Sequence, residues 1–319
     1  MNITNYELKL KAAKYYYQEK LTQQEIANKL EVSRPTVSNL LREAREEGIV
    51  KINIIDLKNK GHLVSVENKI EKYYGLEEVK IAECNDPANL LTCIGEKAAD
   101  YFDRIVRDEF DIGISWGRTL KAMVDNLQKN NQINDLSVVT LAGGTGDLSS
   151  KVHSNILADK LLDNYDGRGF YLYAPVIVDN REVCEAIMKN KETEEILEKA
   201  RNVDIALVGI GSPIESSNLL KTGYFQEEEI KELREYGAIG DICSRFFDED
   251  GEICDISLNK RAIGLTLSEL KNIDKVIGVA GGKEKVESIK AAMKGEFIDV
   301  LITDRLTAES IITTIEEDE

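Results

Sequence analysis

Four glycine-rich segments have the composition of loops that bind anions. Each follows an apolar, strand-like run and precedes a helical pattern; they span residues 115–119, 143–146, 209–212 and 281–285. In an open α/β sheet such loops meet at the carboxyl ends of the strands, where helix N-termini present backbone N–H groups to a ligand. A single glycine after a strand is usually turn chemistry. The four segments together therefore favour an anionic small molecule as ligand.

Residues 22–44 form a second set, whose types and spacing are typical of a DNA-binding helix-turn-helix. Thr22 and Glu25 make a capping box that starts one helix, and Ser33 followed by Pro35 starts the next. Apolar residues at helical spacing turn one face of the second helix inward and leave its polar face for the major groove. Glu31 occupies the turn position that glycine often fills, so we expect a strained or differently closed turn. The predicted DNA-binding residues are Arg34, Pro35, Thr36, Ser38, Asn39 and Arg42.

The distribution of charge decides between DNA and a protein interface as the partner of this helix pair. The formal net charge of the chain is −17, which by itself argues against nucleic acid. Residues 1–60, however, hold eleven Lys and Arg against eight acidic residues, a net +3, so the remainder carries −20. Only the N-terminal segment is therefore suited to DNA.

The pattern along the chain predicts two domains that position these two sets. Residues 5–18 have the periodicity of a support helix, and the β-branched residues 49–54 predict a strand, as in a winged helix. We expect a helix-turn-helix domain over 1–56, a linker over 57–63 and a larger domain over 64–319.

The larger domain alternates between strand-like and helical patterns. The predicted strands cover 79–82, 112–116, 138–142, 170–178, 203–210, 276–280 and 300–303, and helices are predicted over 119–128, 155–163, 192–200, 283–293 and 307–314. Such alternation predicts an α/β fold with a parallel sheet covered on both faces.

Composition narrows the location and the chemistry. The chain has no apolar run of about 18 residues and no apolar core of a secretory signal near its N-terminus, so we expect a cytoplasmic protein without a membrane partner. The five cysteines are odd in number, scattered and never in a CxxC pair, so we expect reduced, mostly buried thiols. With two histidines, neither a metal site nor a cofactor is expected.

Several motifs in order make the chain resemble the SorC family of sugar-sensing transcription regulators. They are ISWG at 114–117, GAIGDICSRFFDEDG at 237–251 and the tract VIGVAGGKEKVESIKAAMKGEFIDVLITDRLTAE at 276–309. The resemblance covers essentially the whole chain. It implies a Rossmann-like C-terminal domain related to phosphosugar isomerases and CoA transferases. It also implies a sugar phosphate effector, and assembly into dimers and tetramers on operator DNA.

The resemblance also implies a set of effector-binding residues. Backbone N–H groups and threonine hydroxyls would hold phosphate oxygens, Lys285 would supply a compensating charge, and Asp241 would accept hydrogen bonds from sugar hydroxyls. The alternative for Lys285 is a solvated helix residue. Arg305 stands where an acid is typical of the family, and Trp116 is expected to pack beneath its loop. The predicted effector residues are Gly117, Thr119, Gly144, Thr145, Gly146, Gly211, Ser212, Asp241 and Lys285.

We therefore predict a regulator of carbohydrate metabolism whose phosphorylated sugar effector alters operator binding. The alternative is a phosphosugar isomerase-like or transferase-like enzyme with a fused DNA-binding module. Asp111 and Asp147 are the nearest loop acids, yet neither belongs to a recognisable catalytic set, and Ala142 leaves no lysine for a Schiff base at that position. A DNA-independent scaffold would leave both residue sets unexplained. The effector, the operator, the sign of regulation and the choice between dimer and tetramer stay open.

Overall fold

The computed structural model describes residues 5–51, 61–84, 86–144, 152–211 and 225–318. The chain divides into two compact units, Met1–Lys60 and Gly61–Glu319. Among the described residues no helix is both long enough and apolar enough to cross a membrane.

The described residues of the N-terminal unit, 5–51, form three α-helices. They are α1 (Asn5–Ala13), which continues into a π-helical turn (Lys14–Gln18), α2 (Gln23–Leu30) and α3 (Arg34–Glu46). Ile26, Ala27, Val37, Leu40 and Leu41 are buried together with Ala12 of α1, because their spacing places them on facing sides of the helices.

Local sequence signals fix the ends of α2 and α3. Thr22 accepts a hydrogen bond from the Glu25 N–H while the Glu25 carboxylate accepts one from the Thr22 N–H, so the predicted capping box is present. Ser33 caps α3 by accepting from the Thr36 N–H. Glu31 lies between the helices with φ 54°, in the left-handed region predicted for this turn position. In the predicted strand over 49–54, residues 49–51 have no strand structure, and 52–54 lie outside the described residues.

The described residues of the larger unit form a seven-stranded parallel sheet with the strand order β1-β9-β8-β5-β2-β3-β4. Its strands are β1 (Glu78–Ala82), β2 (Asp111–Ile114), β3 (Leu136–Thr140), β4 (Gly167–Phe170), β5 (Ile205–Gly209), β8 (Val276–Val279) and β9 (Val300–Asp304). A separate antiparallel hairpin consists of β6 (Gly240–Ile242) and β7 (Arg245–Phe247). The predicted α/β class with a Rossmann-like parallel sheet is confirmed.

Helices cover both faces of the sheet. In chain order they are α4 (Gly61–Tyr74), α5 (Leu90–Ile105), α6 (Arg118–Asn126), α7 (Ser154–Leu162), α8 (Arg181–Met188), α9 (Lys191–Arg201), α10 (Glu227–Glu235), α11 (Ser257–Arg261), α12 (Leu267–Leu270), α13 (Val286–Lys294) and α14 (Arg305–Asp318). Successive residues of a strand pack into the hydrophobic cores on opposite faces of the sheet. In β5, Ile205 and Leu207 pack on one face, and Ala206 and Val208 pack on the other. This alternation explains why the strands read as continuous apolar runs.

Two predicted segments differ markedly from the structure. β4 covers Gly167–Phe170 and shares only Phe170 with the strand predicted over 170–178, and over residues 171–178 the chain makes only isolated bridges among the described residues. There Pro175, which has no N–H for a strand ladder, lies opposite Gly144, and Ile177 lies opposite Ala262. Residues 61–63, expected in the linker, form the first turn of α4.

The cysteine prediction is wrong for one pair. Cys84 and Cys93 form a disulfide with their Cα atoms 5.8 Å apart, whereas Cys184, Cys243 and Cys254 are free and buried, as expected. Odd number and scattered spacing could not reveal the pair, because the fold brings the end of β1 beside the first turn of α5.

Candidate effector pocket and DNA-binding surface

A cleft of about 290 Å³ opens at the carboxyl ends of the central strands. Segments remote in sequence contribute to it, including the loops after β1, β2, β5 and β8 and the β6–β7 hairpin. Its lining residues are Pro87, Ala88, Leu90, Leu91, Trp116, Gly117, Arg118, Thr119, Gly209, Ile210, Gly211, Asp241, Cys243, Gly281, Glu284 and Lys285. The volume lies at the lower end of the range for small-molecule sites.

The cleft gathers five of the nine predicted effector residues. Gly117, Thr119, Gly211, Asp241 and Lys285 all line it. Gly144 is described but is not among the lining residues, and Thr145, Gly146 and Ser212 lie outside the described residues. Trp116 is half-buried, lines the cleft and also packs against the core, which agrees with its expected place beneath the loop.

The donors that the sequence suggested are largely used within the protein. The N–H of Gly117 donates to the Val152 carbonyl, that of Gly144 to Ala174 and that of Gly211 to Asp241, over 3.2, 2.9 and 2.7 Å. These three N–H groups are therefore engaged within the protein, so phosphate donors must come from other backbone groups of the loops that follow the glycines.

The hydroxyl of Thr119 is committed in the same way. Thr119 is buried, and its Oγ1 donates to the Val279 carbonyl over 2.8 Å. A hydroxyl has one proton to donate. Thr119 thus ties the start of α6 to the end of β8, and its hydroxyl proton does not reach a ligand.

The N-terminus of α6 supplies donors in place of these. Gly117 precedes the helix with φ 141°, and the N–H groups of Arg118, Thr119 and Leu120 have no hydrogen-bond partner among the described residues. The first N–H groups of a helix, together with its dipole, favour an anion. The candidate donors thus lie one to three residues after Gly117, at the helix start that the sequence predicts for this loop.

Arg118 is a candidate effector-binding residue that was not predicted from the sequence. It is exposed, lines the cleft, and its guanidinium makes no hydrogen bond or ion pair with any described residue. The signal was present in the sequence: a cation at the first position of a helix that follows a strand and a glycine.

Lys285 and Asp241 form the buried, charged end of the cleft. Lys285 Nζ donates to the Ile210 carbonyl over 2.8 Å, so Lys285 is not the solvated residue considered as its alternative. Burial lowers the pKa of Lys285; Asp241 opposes this change and the Arg118 charge adds to it. Burial also raises the pKa of Asp241 to about 6, against the opposing effects of the Lys285 charge and of the Ser244 N–H. Each group thus limits the pKa shift of the other.

Backbone geometry holds Asp241 in this position. Cys243 and Ser244, the two turn residues of the hairpin, both have positive φ, 53° and 60°, as a tight two-residue turn requires. The Asp241 carboxylate lies directly over Gly211, where an added Cβ would be 1.7 Å from Asp241 Oδ1. Residue 211 must therefore lack a side chain for Asp241 to occupy its place.

All six predicted DNA-binding side chains are exposed on or at the start of α3. Arg34 makes no hydrogen bond or ion pair with the described residues, whereas Arg42 Nη1 lies 3.3 Å from Glu46 Oε1. The hydroxyls of Ser33 and Thr36 are 2.7 Å apart. On the opposite face Lys9, which is buried, lies 2.9 Å from Glu43 and 2.5 Å from Glu47 and so joins α1 to α3. The polar face of α3 is thus exposed, and no described residue binds the Arg34 guanidinium.

Both units match known proteins. Residues 58–313 match the family described as "Putative sugar-binding domain", and residues 8–65 match the family described as "Crp-like helix-turn-helix domain". The chain is 36% identical over 311 residues to the deoxyribonucleoside regulator of Bacillus subtilis, a match that covers 97% of this chain and 98% of that protein. It is 31% identical to the sorbitol operon regulator of Klebsiella pneumoniae, over 98% of this chain and 99% of that protein. The crystal structure of the full-length regulator SorC from Klebsiella pneumoniae superposes with a TM-score of 0.74 at 32% identity, over 96% of this chain and 98% of that chain.

The chain belongs to the SorC family. The family inferred from the motifs is therefore confirmed, and this SorC-family chain is a transcription regulator with a helix-turn-helix and a sugar-binding domain. Its relatives are named regulators rather than enzymes, so the alternative of an isomerase-like or transferase-like enzyme is wrong.

Proposed function

We propose that the effector of this regulator is a phosphorylated sugar and that its binding alters the affinity for operator DNA. The observation that carries the proposal is that cationic donors and a carboxylate acceptor line the same cleft. The start of α6 with its unengaged N–H groups, the Arg118 guanidinium and Lys285 are the donors, and the Asp241 carboxylate is the acceptor. A molecule with a phosphate and several hydroxyls matches this arrangement.

Local donors must hold the phosphate against an unfavourable field. The chain beyond residue 60 carries a net charge of −20, and Glu284 also lines the cleft. At long range such a surface repels an anion. Arg118, the start of α6 and Lys285 are the groups that compensate for this repulsion, and the sugar hydroxyls donate to Asp241.

The DNA-binding part of the proposal rests on the exposed face of α3. We place the DNA-binding domain at 1–56 and the effector and oligomerisation domain at 64–319, in a cytoplasmic protein that binds two half-sites as a homodimer or homotetramer. A two-fold protein reads half-sites about one helical turn of DNA apart, or a multiple of it. Whichever direction the coupling takes, effector and operator must change each other's affinity by the same factor.

A calorimetric titration of the full chain tests the phosphate assignment. The probes are ribose 5-phosphate, glucose 6-phosphate and fructose 6-phosphate, each paired with its free sugar. A thermal-shift screen precedes the titration, because a ligand at 100 times its Kd adds about 2.7 kcal/mol to the free energy of unfolding. The chain should bind at least one phosphorylated sugar and should prefer it to its free sugar. Loss of one charge-assisted contact in Arg118→Ala or Lys285→Ala should weaken the phosphorylated sugar about tenfold to hundredfold.

Lys121→Ala is the matched control for these variants. Lys121 is a cation of the same helix, pairs with Asp125 and is not among the lining residues, so its loss should leave the affinity unchanged. Equal affinity of the wild type for phosphorylated and free sugars would contradict the phosphate proposal. Selective binding that neither variant weakens would contradict only the roles of Arg118 and Lys285.

A further inference from the structure

The disulfide Cys84–Cys93 differs from the other cysteines in both exposure and position. Both of its residues are partly exposed, whereas Cys184, Cys243 and Cys254 are buried. Cys84 follows β1 and Cys93 lies in the first turn of α5, nine residues later. A small thiol reagent therefore has access to this pair and much less to the others.

Residues 86–91, which lie between the two cysteines, contribute to one wall of the effector cleft. Pro87, Ala88, Leu90 and Leu91 all line the cleft, and we refer to residues 86–91 as the rim. Residues 86–89 are exposed, so few buried contacts fix them. Segments with little buried surface open with a low free energy. The disulfide joins the two residues that flank the rim and therefore adds a covalent constraint on its conformation.

The helix that carries Cys93 also packs against α6, whose N-terminus holds the proposed phosphate donors. An added Cβ at Gly95 of α5 would lie 2.5 Å from the Ala122 carbonyl carbon, so α5 and α6 are in direct backbone contact. The first turn of α6 holds Arg118 and the unengaged N–H groups. The disulfide, the rim and the proposed phosphate donors are therefore parts of one packed unit.

We infer that Cys84 and Cys93 form a thiol–disulfide exchange site whose redox state sets the mobility of the rim and, through it, the affinity for the effector. The second half of this inference rests on the proposed function. An accessible disulfide in a reducing compartment is typically transient or redox-sensing rather than structural. A closed rim is ordered before the ligand arrives, so the oxidised form binds the effector more tightly.

The exchange is balanced with a dithiol as reductant. One thiolate of the dithiol attacks a sulfur of the pair, the S–S bond breaks, and a mixed disulfide forms while the other cysteine leaves as a thiolate. The second thiol of the dithiol, as thiolate, then displaces the attached cysteine and closes an oxidised cyclic disulfide. Two electrons pass from the dithiol to the protein, and both cysteines take up protons. Oxidised glutathione reverses the change through the corresponding mixed disulfide.

The test compares the full chain after treatment with oxidised glutathione and with dithiothreitol. Thiols are counted after unfolding, and amide hydrogen exchange is followed in peptides that cover the rim. The oxidised chain should show three free thiols and the reduced chain five, since two of the five cysteines are paired. Opening the loop should speed rim exchange by at least about threefold, because the disulfide restricts the open conformations.

The double variant Cys84→Ala/Cys93→Ala is the matched control. Its rim should exchange at the fast rate with or without dithiothreitol. Five thiols after glutathione treatment, or equal rim exchange in both states of the wild type, would overturn the exchange site. A response of the double variant equal to that of the wild type would overturn it as well, because the effect would then come from other cysteines.

The effector arm uses the sugar phosphate that binds in the titration described above. Oxidised wild type should bind it about threefold to tenfold more tightly than reduced wild type, the range expected from ordering one or two side chains in advance. Equal affinity in the two states would overturn the link to the effector. If no sugar phosphate binds in either state, the proposed function fails, while thiol counts and rim exchange still decide the redox site.

Discussion

The effector cleft and the DNA-binding face of α3 differ in how their functional groups are held. On α3 six candidate side chains come from nine consecutive positions, all are exposed, and Arg34 has no partner among the described residues. In the cleft the groups come from remote segments, and Asp241 is buried against Gly211. A residue on α3 therefore contributes through its own side chain, whereas a residue of the cleft also contributes through the space that it leaves free.

The largest expected effect is that of one methyl group added to the cleft at Gly211. In Gly211→Ala the new Cβ would lie 1.7 Å from Asp241 Oδ1, so the carboxylate must move out of its place. Such overpacking costs about 1–3 kcal/mol and removes the hydroxyl acceptor, so effector affinity should fall by roughly a hundredfold. Calorimetry measures this loss, and operator binding without effector should not change.

Gly209→Ala is the control for this prediction. Its Cβ would meet the Trp116 carbonyl oxygen at 3.4 Å and Thr119 Oγ1 at 3.8 Å, which are ordinary contacts. Effector affinity should stay within about threefold of the wild type. Equal losses of effector affinity in the two variants would contradict the prediction. They would show that any added side chain in this loop weakens binding, whether or not it displaces Asp241.

Particular residues show why the two regions were not equally predictable from sequence. The helix-turn-helix depends on local signals, such as the Thr22 capping box and the Ser33 cap, so its exposed face could be predicted from periodicity alone. The succession of strands and helices along the larger unit could be predicted from the alternation of patterns for the same reason. In the cleft, five predicted residues do meet, but the hydrogen bonds of Gly117, Gly144 and Gly211 depend on Val152, Ala174 and Asp241, which no local pattern connects to them.

A second prediction concerns α3 and should be of intermediate size. Arg34→Ala removes a cation without a partner among the described residues, so operator affinity should fall by about 1–3 kcal/mol if Arg34 contacts a base. A phosphate contact would instead weaken binding to all DNA sequences equally. It would also lower the slope of log affinity against log salt concentration by about one. Arg42→Ala should have a smaller effect, since Arg42 is already paired with Glu46. Fluorescence anisotropy with operator and unrelated DNA at several salt concentrations separates these cases.

Arg168→Ala provides the charge control for both α3 variants. Arg168 lies in β4 of the larger unit and its side chain is 73% exposed, so its removal changes the net charge by the same amount. DNA affinity should not change in this variant. A folded Arg34→Ala protein with unchanged affinity would remove Arg34 from the DNA-binding surface.

The smallest expected effect compares the two units through the same local motif. Thr22 caps α2 and Thr266 caps α12, each in a capping box with a glutamate three residues later, Glu25 and Glu269. Loss of such a cap costs about 1 kcal/mol, so Thr22→Ala and Thr266→Ala should destabilise their own units by similar free energies. The N-terminal unit is much smaller than the other. An equal loss should therefore lower its Tm by about 4–8 °C and that of the larger unit by only about 2–4 °C, because the entropy of unfolding grows with size.

Differential scanning calorimetry of the full chain should show two transitions, with one shifted in each variant. A single transition that shifts equally in both variants would contradict this prediction. It would show that the two units unfold together and do not differ in thermal stability.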